Sequence, residues 1–102
     1  MSENEIIRQV WDRVQNILGS EYQLFLFGSR AGKTNDKYSD FDFFVKGKES
    51  VPSQVWQQLM DAVQEIQTLH KIDLVDYMRA SEEFKSVASK SVQEIVNGQI
   101  RS

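Results

Sequence analysis

Apolar residues recur at helical spacing from the start of the chain: Ile6, Ile7, Val10, Trp11, Val14, Ile17 and Leu18 share one stripe. Ser2 followed three residues later by Glu5 has capping-box spacing, and Gly19 stops the stripe, so a first helix is predicted between them. Tyr22 to Phe27 is apolar on both faces, short and closed by Gly28, which suits a covered strand. A loop rich in Gly, Lys, Asn and Asp runs from Gly28 to Lys37. Tyr38 to Val45 then alternates: Phe41, Phe43 and Val45 fall on one face, while Asp40 and Asp42 share the other with Phe44, and Gly47 ends the strand. After Pro52 and Ser53, the positions Val55, Trp56, Leu59, Met60, Val63 and Ile66 make a second helical stripe. Lys71 to Tyr77 reads as a third strand, with Ile72 and Leu74 on one face and Asp73 and Val75 on the other. Ser81, Glu82 and Glu83 open a last predicted helix with the stripe Phe84, Val87, Ala88, Val92, Ile95 and Val96, and Gly98 as its stop.

Helix, strand, loop, strand, helix, strand, helix predicts an α/β (α+β) fold: a small mixed β-sheet with helices packed on one face. With 102 residues, one domain over 1–102 is expected, and a second domain with its own substrate pocket has no room. Any cleft is then shallow or shared with a partner. The absence of cysteine excludes disulfides, thiolate metal sites and cysteine nucleophiles. Glu3, Glu5 and Asp12 leave no unbroken apolar stretch for a signal peptide, and the longest apolar run, Leu24 to Phe27, falls far short of the ~18 residues of a membrane span. The chain therefore reads as cytoplasmic. Its 12 basic and 15 acidic residues give a net charge of −3, which argues against a broad basic surface for nucleic acid.

The acidic face of the second strand is where chemistry enters. Asp40 and Asp42, one residue apart on a strand, point the same way with Cβ atoms ~7 Å apart. That is close enough to share a hard cation or hold two, and ligation by oxygen alone suits Mg²⁺ or Mn²⁺. Asp73 breaks an apolar alternation in the third strand, and an acid there is costly unless metal or water satisfies it. Asp76, three positions on, faces the other side with Ile72 and Leu74 and reads as strand-end capping. Ahead of the pair, the first strand runs into Gly28-Ser29-Arg30-Ala31-Gly32-Lys33, where close backbone approach, a hydroxyl and a guanidinium could surround phosphate oxygens. A P-loop does not fit, because the motif needs four residues between its glycines and must open a helix, whereas three separate Gly28 from Gly32 and a strand follows. Trp11, Trp56, Met60 and Met78 read as packing, and His70 as a surface or turn residue outside the site.

In Gly28-Ser29, the ten residues to Asp40, the Ser39-Asp40-Phe41-Asp42 strand, Asp73 within a third strand and a helix opening Ser-Glu-Glu-Phe, the chain resembles the minimal nucleotidyltransferases of the DNA polymerase β superfamily over nearly its whole length. Those proteins usually carry glycine two residues after the alanine of the loop; here Gly32 comes one residue early and Lys33 stands at that site. The resemblance implies attack of an acceptor hydroxyl on the α-phosphate of a nucleoside triphosphate, with pyrophosphate leaving. It implies that Asp40, Asp42 and Asp73 hold two Mg²⁺ ions, that Asp73 helps deprotonate the hydroxyl, and that Gly28 and Ser29 hold the terminal phosphates. Arg30 is a further candidate phosphate contact. It implies also a helical HEPN-type partner, with small members of the family acting as antitoxins that move AMP from ATP onto a tyrosine of that toxin.

Two other classes stay open from the sequence. One is a binding module of the same fold that neutralises a toxin by contact alone; the other is nucleotidyl transfer to RNA or a small molecule. Formation of a homo-oligomer is equally open.

Overall fold

The protein is described from a computed structural model, which defines residues 2–28 and 40–101. Helix α1 (Glu3–Leu18) begins where Ser2 Oγ accepts from the Glu5 amide at 3.2 Å, with Glu3 and Glu5 in its first turn against the positive end of the helix dipole. Ile6, Ile7, Val10 and Val14 form its buried stripe. Strand β1 (Gln23–Phe27) follows, then β2 (Phe41–Lys46), helix α2 (Ser53–Gln64), strand β3 (Ile72–Asp76), a short 3-10 turn, helix α3 (Glu82–Ala88) and strands β4 (Val92–Val96) and β5 (Gln99–Ile100).

The strands make one mixed sheet in the order β3-β2-β1-β4-β5. Among the described residues only β2 and β3 run parallel, joined through α2 as a parallel pair requires, and the other pairings are antiparallel. Leu24, Leu26, Phe41, Phe43, Val45, Leu74 and Ile95 point to one face and are packed into a single core with α1 and with Leu59 and Val63 of α2. At ~1.5–3 kcal/mol per fully buried large apolar side chain, this face and its two helices are the main source of stability. The expected fold class, a small mixed α+β sheet, is the one observed, but the helices expected on one face divide between the two, because Phe84 of α3 packs on Phe27 of the opposite face.

Among the described residues, the other face is covered only in part. Phe25, Phe27 and Phe44 lie there, with Phe25 and Phe44 stacked at 4.9 Å, and α3 reaches it through Phe84, whose ring meets Phe27 at 5.2 Å. Thus α1 and α2 share one face, while α3 sits against the other.

The C-terminal third differs from the predicted single helix over 82–98. Helix α3 stops at Ala88, and the remaining stretch forms the β4–β5 hairpin. Asn97 and Gly98 both adopt positive φ, 54° and 79°, as a two-residue primed turn requires, and Asn-Gly is the pair best suited to it. Val92, Ile95 and Val96 are β-branched and prefer the strand. The helical spacing of Phe84, Val87, Ala88, Val92 and Ile95 is real but crosses Ser89, Lys90 and Ser91, where the helix has already ended. Among the described residues the sheet consequently has five strands rather than the three expected.

Asp76 is 5% exposed yet fully engaged. Its Oδ2 accepts from the Val51 amide at 2.8 Å and its Oδ1 from the Met78 amide at 3.2 Å, while Arg79 Nε lies 3.5 Å from Oδ2. This is the strand-end role expected of it. Among the described residues, no helix is long and apolar enough to cross a membrane.

Candidate active site

Gly28 ends β1 with φ +79°, a conformation that costs a side-chain-bearing residue ~1–2 kcal/mol. A Cβ at this position would also stand 3.0 Å from Asp42 Oδ2. The glycine thus leaves room for a carboxylate on the neighbouring strand, in addition to turning the chain.

Asp42 sits on β2 opposite Phe27 on one side and opposite Asp73 of β3 on the other. In the parallel pairing of β2 with β3 the two acids are direct partners, so both carboxyl groups rise from the same face at adjacent strand positions. Burial raises the Asp42 carboxyl above the ordinary aspartate value, the negative charges of Asp73 and Asp40 add to that rise, and a hydrogen bond between the Asp42 and Asp73 carboxyls adds further. Lys71 opposes it. Two residues before Asp73 and so on the same face, Lys71 places its Nζ 3.9 Å from Asp73 Oδ1.

Asp40 lies just before β2, exposed. Its charge is felt at Asp42, but among the described residues no group of three or more His, Asp or Glu side chains is drawn together closely enough to enclose a metal ion. The structure therefore brings Asp42 and Asp73 together and leaves Asp40 at their side. The donor set fits a hard divalent cation: two adjacent carboxylates supply oxygen ligands only, and their like charge in a half-buried setting is what a bound cation would neutralise. Of the residues expected to contact phosphate, Gly28 lies at the end of β1 beside Asp42, whereas Ser29 and Arg30 lie outside the described residues. His70, excluded from the site on sequence grounds, packs its ring edge-on against Phe41 at 5.2 Å.

Sequence reading passed over Lys71, whose spacing of two from Asp73 was the available signal. It also passed over Phe27 and Phe84, whose meeting depends on where α3 returns to the sheet.

A family model described as "Polymerase beta, Nucleotidyltransferase" matches residues 7–100. The chain belongs to this nucleotidyltransferase family. A relative from Haemophilus influenzae, "Probable protein adenylyltransferase MntA", is 30% identical over 70 residues, a match spanning 69% of this chain and 61% of that protein's length. Among solved structures, a toxin–antitoxin with AMP-PNP superposes with a TM-score of 0.62 at 19% identity, over 91% of this chain and 72% of the other. A tri-AMPylated Shewanella oneidensis HEPN toxin in complex with MNT antitoxin gives 0.58 at 16% identity, over 89% of this chain and 70% of the matched one. These structural likenesses establish the nucleotidyltransferase fold of the family member described here.

Proposed function

We propose that this chain is a Mg²⁺-dependent nucleotidyltransferase that moves AMP from ATP onto a tyrosine hydroxyl of a HEPN-type protein toxin and so acts as an antitoxin. The observation that carries the reading is the pairing of Asp42 with Asp73 across β2 and β3, beside a glycine that leaves room for the carboxylate. The "protein adenylyltransferase" name of the relative and the AMPylated toxin held by the structural neighbour support protein as the acceptor class.

In this reading Asp40, Asp42 and Asp73 would hold the divalent cations, Mg²⁺ or Mn²⁺, which supply charge neutralisation at the triphosphate. The backbone of Gly28, with Ser29 and Arg30 after it, holds the terminal phosphates. Asp73 accepts the proton of the attacking hydroxyl, and Lys71 beside it keeps the carboxylate oriented. The acceptor oxygen bonds to the α-phosphorus, the bond from that phosphorus to the bridging oxygen breaks, and pyrophosphate carries away the charge. Such transfer depends on positioning and charge stabilisation more than on covalent chemistry by the protein, and two strands in fixed register supply positioning.

The test is transfer of label from ATP marked at the α-phosphate to a purified HEPN-type partner in the presence of Mg²⁺. Wild type is expected to transfer it and Asp42→Asn to lose the transfer. Full neutralisation of the partner by Asp42→Asn with no label moved by either protein would replace the catalytic reading with contact alone.

A further inference from the structure

Beside the acid pair, the open face of the sheet continues into aromatic rather than polar side chains. Phe27 lies directly across from Asp42 and one residue before Gly28. Its ring meets Phe84 of α3 edge to face, with centroids 5.2 Å apart and planes at 86°, and leans on Phe44 at 5.6 Å. Phe44 is 4% exposed and packs against Phe25, Phe27 and Tyr77. Phe27 and Phe84 are only partly buried, so ring surface remains available at the corner they make. Packing alone favours an edge-to-face pair, but it does not account for two large rings left partly open next to a carboxylate pair.

Position and chemistry agree on a ligand. Directly opposed strand neighbours have Cβ atoms roughly 4.5–5.5 Å apart, so a nucleoside whose α-phosphate sits at Asp42 reaches Phe27 without leaving the sheet. The side chains flanking Phe27 on this face, Val92 and Phe25, have no donor or acceptor to offer. Glu94, farther along, has both oxygens engaged, by Gln23 and by Arg101 at 3.0 Å each. A planar ring placed here meets π-faces and hydrocarbon.

We propose that Phe27 and Phe84 form the seat of the nucleobase, holding it by stacking without reading its hydrogen-bonding edge. The inference rests on the nucleotidyl-transfer reading of Asp42 and Asp73 and adds how the substrate's base is recognised. Stacking tolerates any base because every base has a π-face. The enzyme is accordingly a purine-tolerant one, and its affinity for a nucleotide exceeds that for the bare polyphosphate.

Equilibrium binding of ATP, GTP and inorganic tripolyphosphate, each with Mg²⁺, tests this by calorimetry on the full chain without any acceptor. Wild type is expected to bind ATP and GTP alike, and both more tightly than tripolyphosphate. Phe84→Leu, which keeps apolar bulk under α3, is expected to weaken both nucleotides about tenfold, as loss of one stacked contact does, and to leave tripolyphosphate unchanged. Phe84→Tyr is expected to restore the wild-type pattern. Unchanged ATP affinity in Phe84→Leu would overturn the seat alone, as would strong preference of wild type for one purine, a comparison that needs no variant to fold. Absence of binding by both ATP and tripolyphosphate would remove the nucleotidyl-transfer reading and the seat with it.

Discussion

Asp42 and Asp73 face each other as direct partners in the parallel pairing of β2 and β3, with their carboxyl groups on the same face of the sheet. Parallel register puts them there, and parallel register needs the α2 crossover, so the site depends on the helix that backs the opposite face. Two acids held side by side repel one another and attract cations, and both consequences can be measured.

Asp42 titrates above its value in the unfolded chain, chiefly through burial and then through the charge of Asp73. Folding therefore favours its protonated form: that contribution is full below the unfolded value and is lost as pH rises through the folded one. Asp42→Asn, which resembles the protonated side chain, is expected to raise the melting temperature at neutral pH without divalent cations. The rise should be a few degrees, since about 1 kcal/mol corresponds to ~4–8 °C in a domain of this size and solvent screens part of the repulsion. Melting curves across the acid range should show the gain fading as Asp42 of the wild type becomes protonated.

Mg²⁺ is expected to raise the wild-type melting temperature in a saturable way, since a ligand at a hundredfold its dissociation constant adds about 2.7 kcal/mol. The double variant Asp42→Asn, Asp73→Asn should show no such rise. Thermal denaturation against Mg²⁺ concentration checks this directly, and an equal rise in the double variant would place the cation elsewhere.

Gly28→Ala is expected to be costly twice over. The positive φ carries a penalty of ~1–2 kcal/mol, seen as a lower melting temperature. The added Cβ, 3.0 Å from Asp42 Oδ2, must push the carboxylate aside, and misplacement on the ångström scale can cost roughly a hundredfold in rate. Transfer per folded molecule should fall well beyond what the loss of stability explains.

Asp76 offers the contrast, as an acid on the same strand as Asp73 with a different task. Asp76→Ala strips the buried Val51 amide of its acceptor, at a cost of ~1–3 kcal/mol, and a lower midpoint in urea is expected. Mg²⁺ and ATP affinity of the folded fraction should remain at the wild-type level. A loss of affinity like that of Asp42→Asn would make Asp76 part of the site.

Much of this arrangement is legible in the residues themselves. The Ser2–Glu5 cap, the stripe from Ile6 to Val14, and the alternation of Phe41, Asp42, Phe43 are local signals, and α1, β1, α2 and β3 fall where those signals put them, while β2 begins at Phe41 and leaves Asp40, expected on the strand, just ahead of it. Asp42, Asp73 and the separate task of Asp76 follow from the same period of two. The hairpin is hidden in the sequence because its apolar positions also satisfy a helical period, and because Gly98 can stop a helix as readily as it closes a turn with Asn97. The Lys71–Asp73 contact, the face on which α3 sits and the meeting of Phe84 with Phe27 depend on tertiary approach, which no local period encodes.

The most direct measurement of the central claim is a crystal structure of the protein with Mg²⁺ and a non-hydrolysable ATP analogue. Metal density between Asp42 and Asp73, joined by Asp40 and shared with the triphosphate, with the terminal phosphates at Gly28, is the result expected. A triphosphate bound away from Asp42 and Asp73, or bound there with both carboxylates turned away from metal and phosphate, would contradict it.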